Sequence, residues 1–399
     1  MIEPDVRGES FRPAARTTRF FDWASTAPLS AACVRAMTEW RTAVARHPSP
    51  PDFQSEDLAR LDVLRKRIGS VFAAGADAEV AFVRSVSEAS SALARALDLP
   101  QGSEILVTAA DHPALAASWC WLAGRRPDLR LRTVPCLPSG RIDLERAQRL
   151  LSGRTAVVTC THLTHLDGVL QPVAELAALV RRWSPALLIV DAAQSVGRVP
   201  VDFGALGADI LVASGRKALL GPMGAGFVIA APEALAALSP LVFSPRSCEA
   251  RVGPAGDWLP GVRERTGAAA FEGNLPDLAA LHGLHASLLA YRRAGHRELA
   301  GRVRSAADAV LTEARHRGFL LVGAAASAGR HGIVRLRSPV ATDHREVKHR
   351  LAARGFSLAA TRDWLRLSVH AFTAPDDIAG LFDHLTPFAA AAPTARSTP

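Results

Sequence analysis

The stretch LLIVDAAQSVGRVPVDFGALGADILVASGRKALLGPMGAGFVI, Leu187 to Ile229, decides the fold. Three apolar runs stand in it: Leu187–Val190, Ile210–Ala213 and Phe227–Ile229. They are continuous runs of leucine and β-branched residues rather than apolar–polar alternations. Strands buried on both faces read this way. Polar residues follow the first two runs at once. Asp191 and Gln194 stand after the first, and Ser214, Arg216 and Lys217 after the second, ahead of a turn rich in glycine and proline. A lysine just past a buried strand, where a Ser, Thr, Asp or Asn helix cap is ordinary, calls for a reason.

Outward from this stretch the same grammar repeats. Apolar runs at Glu79–Val83, Ser103–Ala109 and Thr155–Cys160 each precede an Ala/Leu/Arg-rich helical stretch. This predicts an α/β fold with a mainly parallel sheet. No internal repeat interrupts it. The composition changes near residue 240, where a Gly, Pro and Arg-rich segment reads as irregular. A long helix is expected from about Pro276 to about Glu313. Strands at Gly332–Arg337 and Asp363–His370 flank a helix from His344, as in a small α+β domain. The first 15 or so residues read as an arm and the last dozen as a disordered tail.

The bulk numbers narrow the function. The 399 residues, 49% of them hydrophobic, can bury a sizeable core. No apolar run is long enough to span a bilayer. The opening residues MIEPDVRGESF lack the apolar core of a signal peptide. A cytoplasmic protein without a membrane partner is the expectation. The formal charge is +9, but the arginines are scattered and there is one tyrosine, which argues against a nucleic-acid surface. The five cysteines, Cys33, Cys120, Cys136, Cys160 and Cys248, form no C-x-x-C pair. They predict neither a disulfide framework nor a metal site.

Ligands of open α/β sheets bind at the carboxyl ends of the strands. Five such ends carry polar residues here: Ser85–Glu88, Asp111–Pro113, Thr161–His165, Asp191–Gln194 and Ser214–Lys217. Five together predict a single site.

With these residues in hand, Leu187–Ile229 resembles the core of the class V aminotransferases, the cysteine desulfurase-like branch of the fold-type I pyridoxal-phosphate enzymes. The likeness extends to Phe20–Ser30, to Phe271 onward and to Arg366-x-Ser368. It implies a large cofactor-binding domain over 22–283, a small C-terminal domain over 284–390 joined by an arm over 1–21, and a tail over 391–399. It also implies pyridoxal 5'-phosphate (PLP) as cofactor, an amino-acid substrate and a homodimer. By the same likeness Lys217 forms the Schiff base with the cofactor and serves as acid and base at Cα. Asp191 keeps the pyridine nitrogen protonated, Gln194 and His165 lie near the phenolic oxygen, and His112 stacks on the ring. Val86, Ser87, Ser214 and Arg216 hold the phosphate. Arg366 grips the substrate carboxylate, a two-point contact that lysine makes poorly.

Three departures bear on the reaction. Leu275 replaces a threonine that in many relatives reaches the phosphate across the dimer, with Asn274 beside it. Arg216 stands where histidine is common. No cysteine follows Cys248, so the thiol that receives sulfur in desulfurases is missing from its usual loop. These features put a C–S β-lyase acting on a cysteine conjugate first. The alternatives are an epimerase or aminotransferase, a persulfide-forming desulfurase and a non-catalytic PLP-binding scaffold.

Overall fold

The structure, a computed structural model, describes residues 9–14, 19–47, 53–236, 238, 247–264, 267, 272, 276–323 and 331–389. Elements follow in chain order. A short strand β1 (Arg19–Phe20) leads to helices α1 (Ala31–Arg46) and α2 (Phe53–Val71). Then come β2 (Glu79–Val83), α3 (Val86–Ala96), β3 (Glu104–Thr108), α4 (Pro113–Arg125), β4 (Arg130–Val134) and α5 (Leu144–Leu150). Next are β5 (Thr155–Thr161), α6 (Val173–Trp183), β6 (Leu187–Asp191), α7 (Phe203–Leu206), β7 (Ile210–Ser214), β8 (Gly226–Ala230) and α8 (Pro232–Ala236).

Seven of these strands form one sheet in the order β2-β8-β7-β6-β5-β3-β4. All run parallel except β8, which is antiparallel to both neighbours. The continuous apolar runs now have their cause. Alternate residues of one strand enter two different cores. Leu188 and Val190 pack on one face, and Ile189 on the other. Both faces are dry, so neither set can be polar.

The C-terminal part adds β9 (Cys248–Val252), β10 (Trp258–Glu264), α9 (Leu278–Ala294), α10 (His296–His316), β11 (Leu320–Leu321), β12 (Ile333–Arg337) and α11 (His344–Ala352). It closes with β13 (Phe356–Ser357), β14 (Ala359–Ala360), β15 (Leu365–Ser368) and α12 (Pro375–Leu385). Strands β11-β12-β15-β14 make a small antiparallel sheet. Phe21 packs in its core together with Val334, Leu367 and Phe382, and β1 pairs with β13.

Two expectations change. The segment after residue 240 includes an antiparallel hairpin, β9 with β10, whose register shifts between Trp258 and Val262, rather than irregular chain throughout. Its glycines, prolines and outward charges hide the strand pattern, because no face of β10 is buried. The single long helix is two, broken at Gly295, whose φ of 83° no helix accommodates. The expected boundary between 283 and 284 falls inside α9. Leu275, Asn274 and the expected tail 391–399 lie outside the described residues. Among the described residues, no helix is long and apolar enough to cross a membrane.

Candidate active site

The five polar strand ends meet at the carboxyl edge of the large sheet. After β2, Ser85 caps α3 by accepting the Glu88 amide at 3.1 Å. Val86 is buried and Ser87 exposed in the first turn. The free amides of that turn and the positive end of the helix suit an anion.

After β3, Asp111 ties two strands together. It accepts from the Thr108 amide (2.9 Å) and hydroxyl (2.8 Å), from the Thr161 amide (2.7 Å) and from the Thr159 hydroxyl. His112 follows as the cap of α4, and its own amide donates to Thr161 Oγ1. Its Nδ1 accepts the Ala114 amide at 3.0 Å. That lone pair is therefore engaged, and the neutral ring carries its proton on Nε2. Burial, then Lys217, Arg216 and Arg366, push His112 down to about 4. The His165 ring meets it edge-on, with centroids 4.4 Å apart. Burial first, then His112 and three cations, push His165 to about 3. Both rings are neutral at neutral pH.

Asp191 ends β6, is 4% exposed and accepts the Ala193 amide at 2.8 Å. Burial raises its pKa, against the pull of Lys217 and the Ala193 amide. Lys217 is 7% exposed. Burial lowers it to about 8, Asp191 pulls it back up, and Arg216, Arg198 and Arg366 lower it further. An amine near 8 exists in both forms close to neutral pH, which suits both nucleophile and proton carrier. The turn after it is tight: the Leu220 amide bonds Lys217 O and the Gly221 amide bonds Gly215 O, both at 2.8 Å. Leu220 sits at φ 54°, a left-handed conformation that costs on the order of 1 kcal/mol or more. Helix α9 braces this turn, with Ser287 Oγ donating to Leu219 O at 2.7 Å.

The remaining predicted residues converge on Asp22–Ala27, inside the Phe20–Ser30 stretch of the resemblance, to which the sequence reading gave no role in the site. Gln194 Nε2 donates to Ala24 O at 2.8 Å. Arg216 Nη1 donates to Ser25 O and to Thr26 Oγ1 (2.6 Å), and Arg216 O accepts the Ala27 amide. Arg366 donates Nη2 to Asp22 (3.0 Å) and Ser25 (2.7 Å), and Nη1 to His165 O (3.0 Å). Gln194, Arg216 and Arg366 thus have protein partners along one wall. Ser214 is buried at the end of β7.

Two further residues went unread, and Asp111 was read only as part of a polar strand end. Arg198 is 1% exposed and donates to Val369 O at 2.6 Å. Burial and then Arg366 lower it to about 9. His370 is fully buried, donates Nε2 to Ala218 O (3.1 Å) and stacks on Trp23 at 4.6 Å. Asp111 had only its place beside His112 to mark it.

The donor set fits PLP. A buried carboxylate with a raised pKa stands ready for a ring cation, a buried amine for an aldehyde, and flat imidazoles beside them for a ring. A helix start provides amides for a phosphate. Gln194 Oε1 and His165 Nδ1 are buried without partners.

Comparisons with known proteins agree. The family model for aminotransferase class-V matches residues 19–336. A probable cysteine desulfurase of Methanothermobacter thermautotrophicus is 31% identical over 61% of this chain and 60% of its own length. The match thus spans about 60% of that relative. A cysteine desulfurase of Klebsiella pneumoniae is 31% identical over 55% of each chain. Among solved structures, the cystine C-S lyase C-DES, in complex with cysteine persulfide, superposes with a TM-score of 0.84 at 23% identity, covering 94% of this chain and 98% of that one. That likeness establishes the fold. The chain belongs to the aminotransferase class-V family and is a PLP-dependent enzyme of fold-type I.

Proposed function

We propose that this enzyme cleaves the C–S bond of cysteine or a cysteine-derived amino acid, and that it does so as a persulfide-forming desulfurase. The relatives named cysteine desulfurase support this reading over the β-lyase that the motif departures put first. The observation that carries it is the buried Lys217 amine, tuned to about 8, set against Asp191 and two neutral histidines.

The bound cofactor supplies an electron sink for the pair left at Cα. The chain's own residues do the rest. Asp191 holds its charge against the ring nitrogen. Lys217 Nζ takes and returns the Cα proton. His112 keeps a proton on Nε2 and His165 adds no charge beside it. Arg366, once Asp22 yields or shares it, meets the substrate carboxylate. The segment Asp22–Ala27 walls off water on that side.

The β-lyase remains as a second reading because of the cysteines. Burial pushes Cys33 up to about 12 and raises Cys136 and Cys160 as well. A thiol so shifted is a poor sulfur acceptor, since the thiolate is the nucleophile. The products separate the readings. Desulfuration of cysteine with a thiol acceptor yields alanine and a persulfide. Elimination yields pyruvate, ammonia and the released thiol. With cysteine and an added small-molecule thiol, alanine is the expected product. Pyruvate and ammonia in equal amounts, with no alanine, would establish the lyase instead.

A further inference from the structure

Arg198 is a buried cation without an opposite charge. Its side chain leaves the turn after β6 and donates Nη1 to Val369 O at 2.6 Å and to Gly332 O at 3.4 Å. Nε and Nη2 are buried with no partner. Among the described residues no carboxylate pairs with it. An apolar side chain of similar volume would fill the space at less cost. Packing alone therefore does not account for an arginine here.

Its two ends join the parts of the site. The turn 191–199 is stiff: the Val196 amide bonds Ala192 O, and the Arg198 and Val199 amides bond Ser195 O. The acceptor, Val369, directly follows β15 and lies three residues past Arg366. The Val369 amide donates in turn to Gly332 O at 2.8 Å. Gly332 has φ 77°, and a Cβ there would lie 2.8 Å from Arg198 Nη1. Only glycine lets the guanidinium come so near. The next residue, His370, donates Nε2 to Ala218 O, beside Lys217. The end of β15 is thus held from the Asp191 turn by Arg198, and it meets the lysine turn through His370.

We propose that Arg198 is a positioning residue for the carboxylate grip: its bond to Val369 O fixes the end of β15, and with it Arg366, relative to the turn that carries Asp191 and Gln194. This rests on the reading of Arg366 given above. A guanidinium with no anion beside it gives its charge-assisted bond to the carbonyl undivided. A neutral donor would hold the strand less firmly.

The test is a titration of the holoenzyme with L-alanine and with ethylamine, its analogue without the carboxylate, followed by cofactor absorbance. Arg198→Met keeps the length and loses the bond. It should weaken alanine about tenfold and ethylamine by less than about twofold. Arg198→Lys keeps the charge and should recover part of the loss, since its ammonium lacks the fork. If the methionine variant does not fold, the lysine variant carries the test, with a smaller loss confined to alanine. In an Arg366→Gln background, which removes the grip, substituting Arg198 should change alanine binding by less than about twofold. A loss confined to alanine and absent without Arg366 supports the proposal. Equal losses for both ligands, no loss for either, or an alanine loss undiminished without Arg366 overturns it, as a merely structural role would produce no such pattern. If Arg366→Gln alone weakens alanine and ethylamine alike, the carboxylate reading of Arg366 falls, and this proposal with it. If Arg366→Gln is selective and the Arg198 variants are not, this proposal falls alone. Neither ligand has a C–S bond, so the reaction assigned above does not enter.

Discussion

Lys217 stands where burial and charge oppose each other. Desolvation disfavours its ammonium, Asp191 favours it, and the outcome lies at about 8. Two consequences can be measured. Borohydride treatment of the holoenzyme should fix the cofactor to Lys217 alone. The alternatives are few, since the other lysines are Lys66 and Lys348, and label on either would sink the assignment. Uptake of the cofactor by apoprotein should accelerate as pH rises through about 8, as the neutral amine fills. Asp191→Asn removes the charge that raises this pKa, so its uptake profile should move to lower pH. An unmoved profile would mean that Asp191 does not act on the lysine. Residues of this kind were legible in the sequence because a buried strand has no use for a charged group at its end unless a ligand meets it. Asp22, Arg198 and His370 were not legible, because each looks like an ordinary surface, loop or strand-end residue until distant chain folds over it. Asp22 and Arg366 are 344 positions apart.

At the scale of elements, the site depends on how closely two turns approach. Gly197, in the turn after β6, has φ 85°. A Cβ there would lie 2.5 Å from Ala218 C and O, the backbone next to Lys217. Glycine is required twice over, by conformation and by space. Gly197→Ala should lower stability by on the order of 2 kcal/mol or more and displace the lysine turn. A fall in thermal midpoint together with weaker cofactor retention is expected. An unchanged midpoint would show that the turn yields freely. The large sheet was legible because its strands are apolar on both faces. The β9–β10 hairpin was not, since an exposed ribbon needs no apolar face. Nor was the break at Gly295, because apolar spacing continues on both sides of it. The wall Asp22–Ala27 has only the two-residue strand β1 ahead of it, too little regular structure for any period to show.

For the whole molecule, the buried histidines set the response to acid. His162 and His370 are held down to about 4 and about 3, each chiefly by burial. His162 Nδ1 shares a hydrogen with Ser195 Oγ at 3.0 Å. His370 stacks on Trp23 and on Phe372, and the Arg198 cation adds to its lowering. In the unfolded chain these rings titrate near 6.5. Between that value and their folded values the unfolded state binds more protons, so stability rises with pH and is lost on acidification. Each such ring contributes about 1.4 kcal/mol per pH unit at full effect. His112 and His165, more open to water, contribute less. Asp111 and Asp191, raised by burial, bind protons earlier in the folded chain and oppose this loss at the acid end. The urea midpoint of the apoprotein should therefore fall between pH 7 and pH 5. His370→Gln keeps a donor for Ala218 O but cannot titrate, so its midpoint should fall less steeply over that range. A variant that falls as steeply as the wild type would show that His370 is not held neutral by the fold.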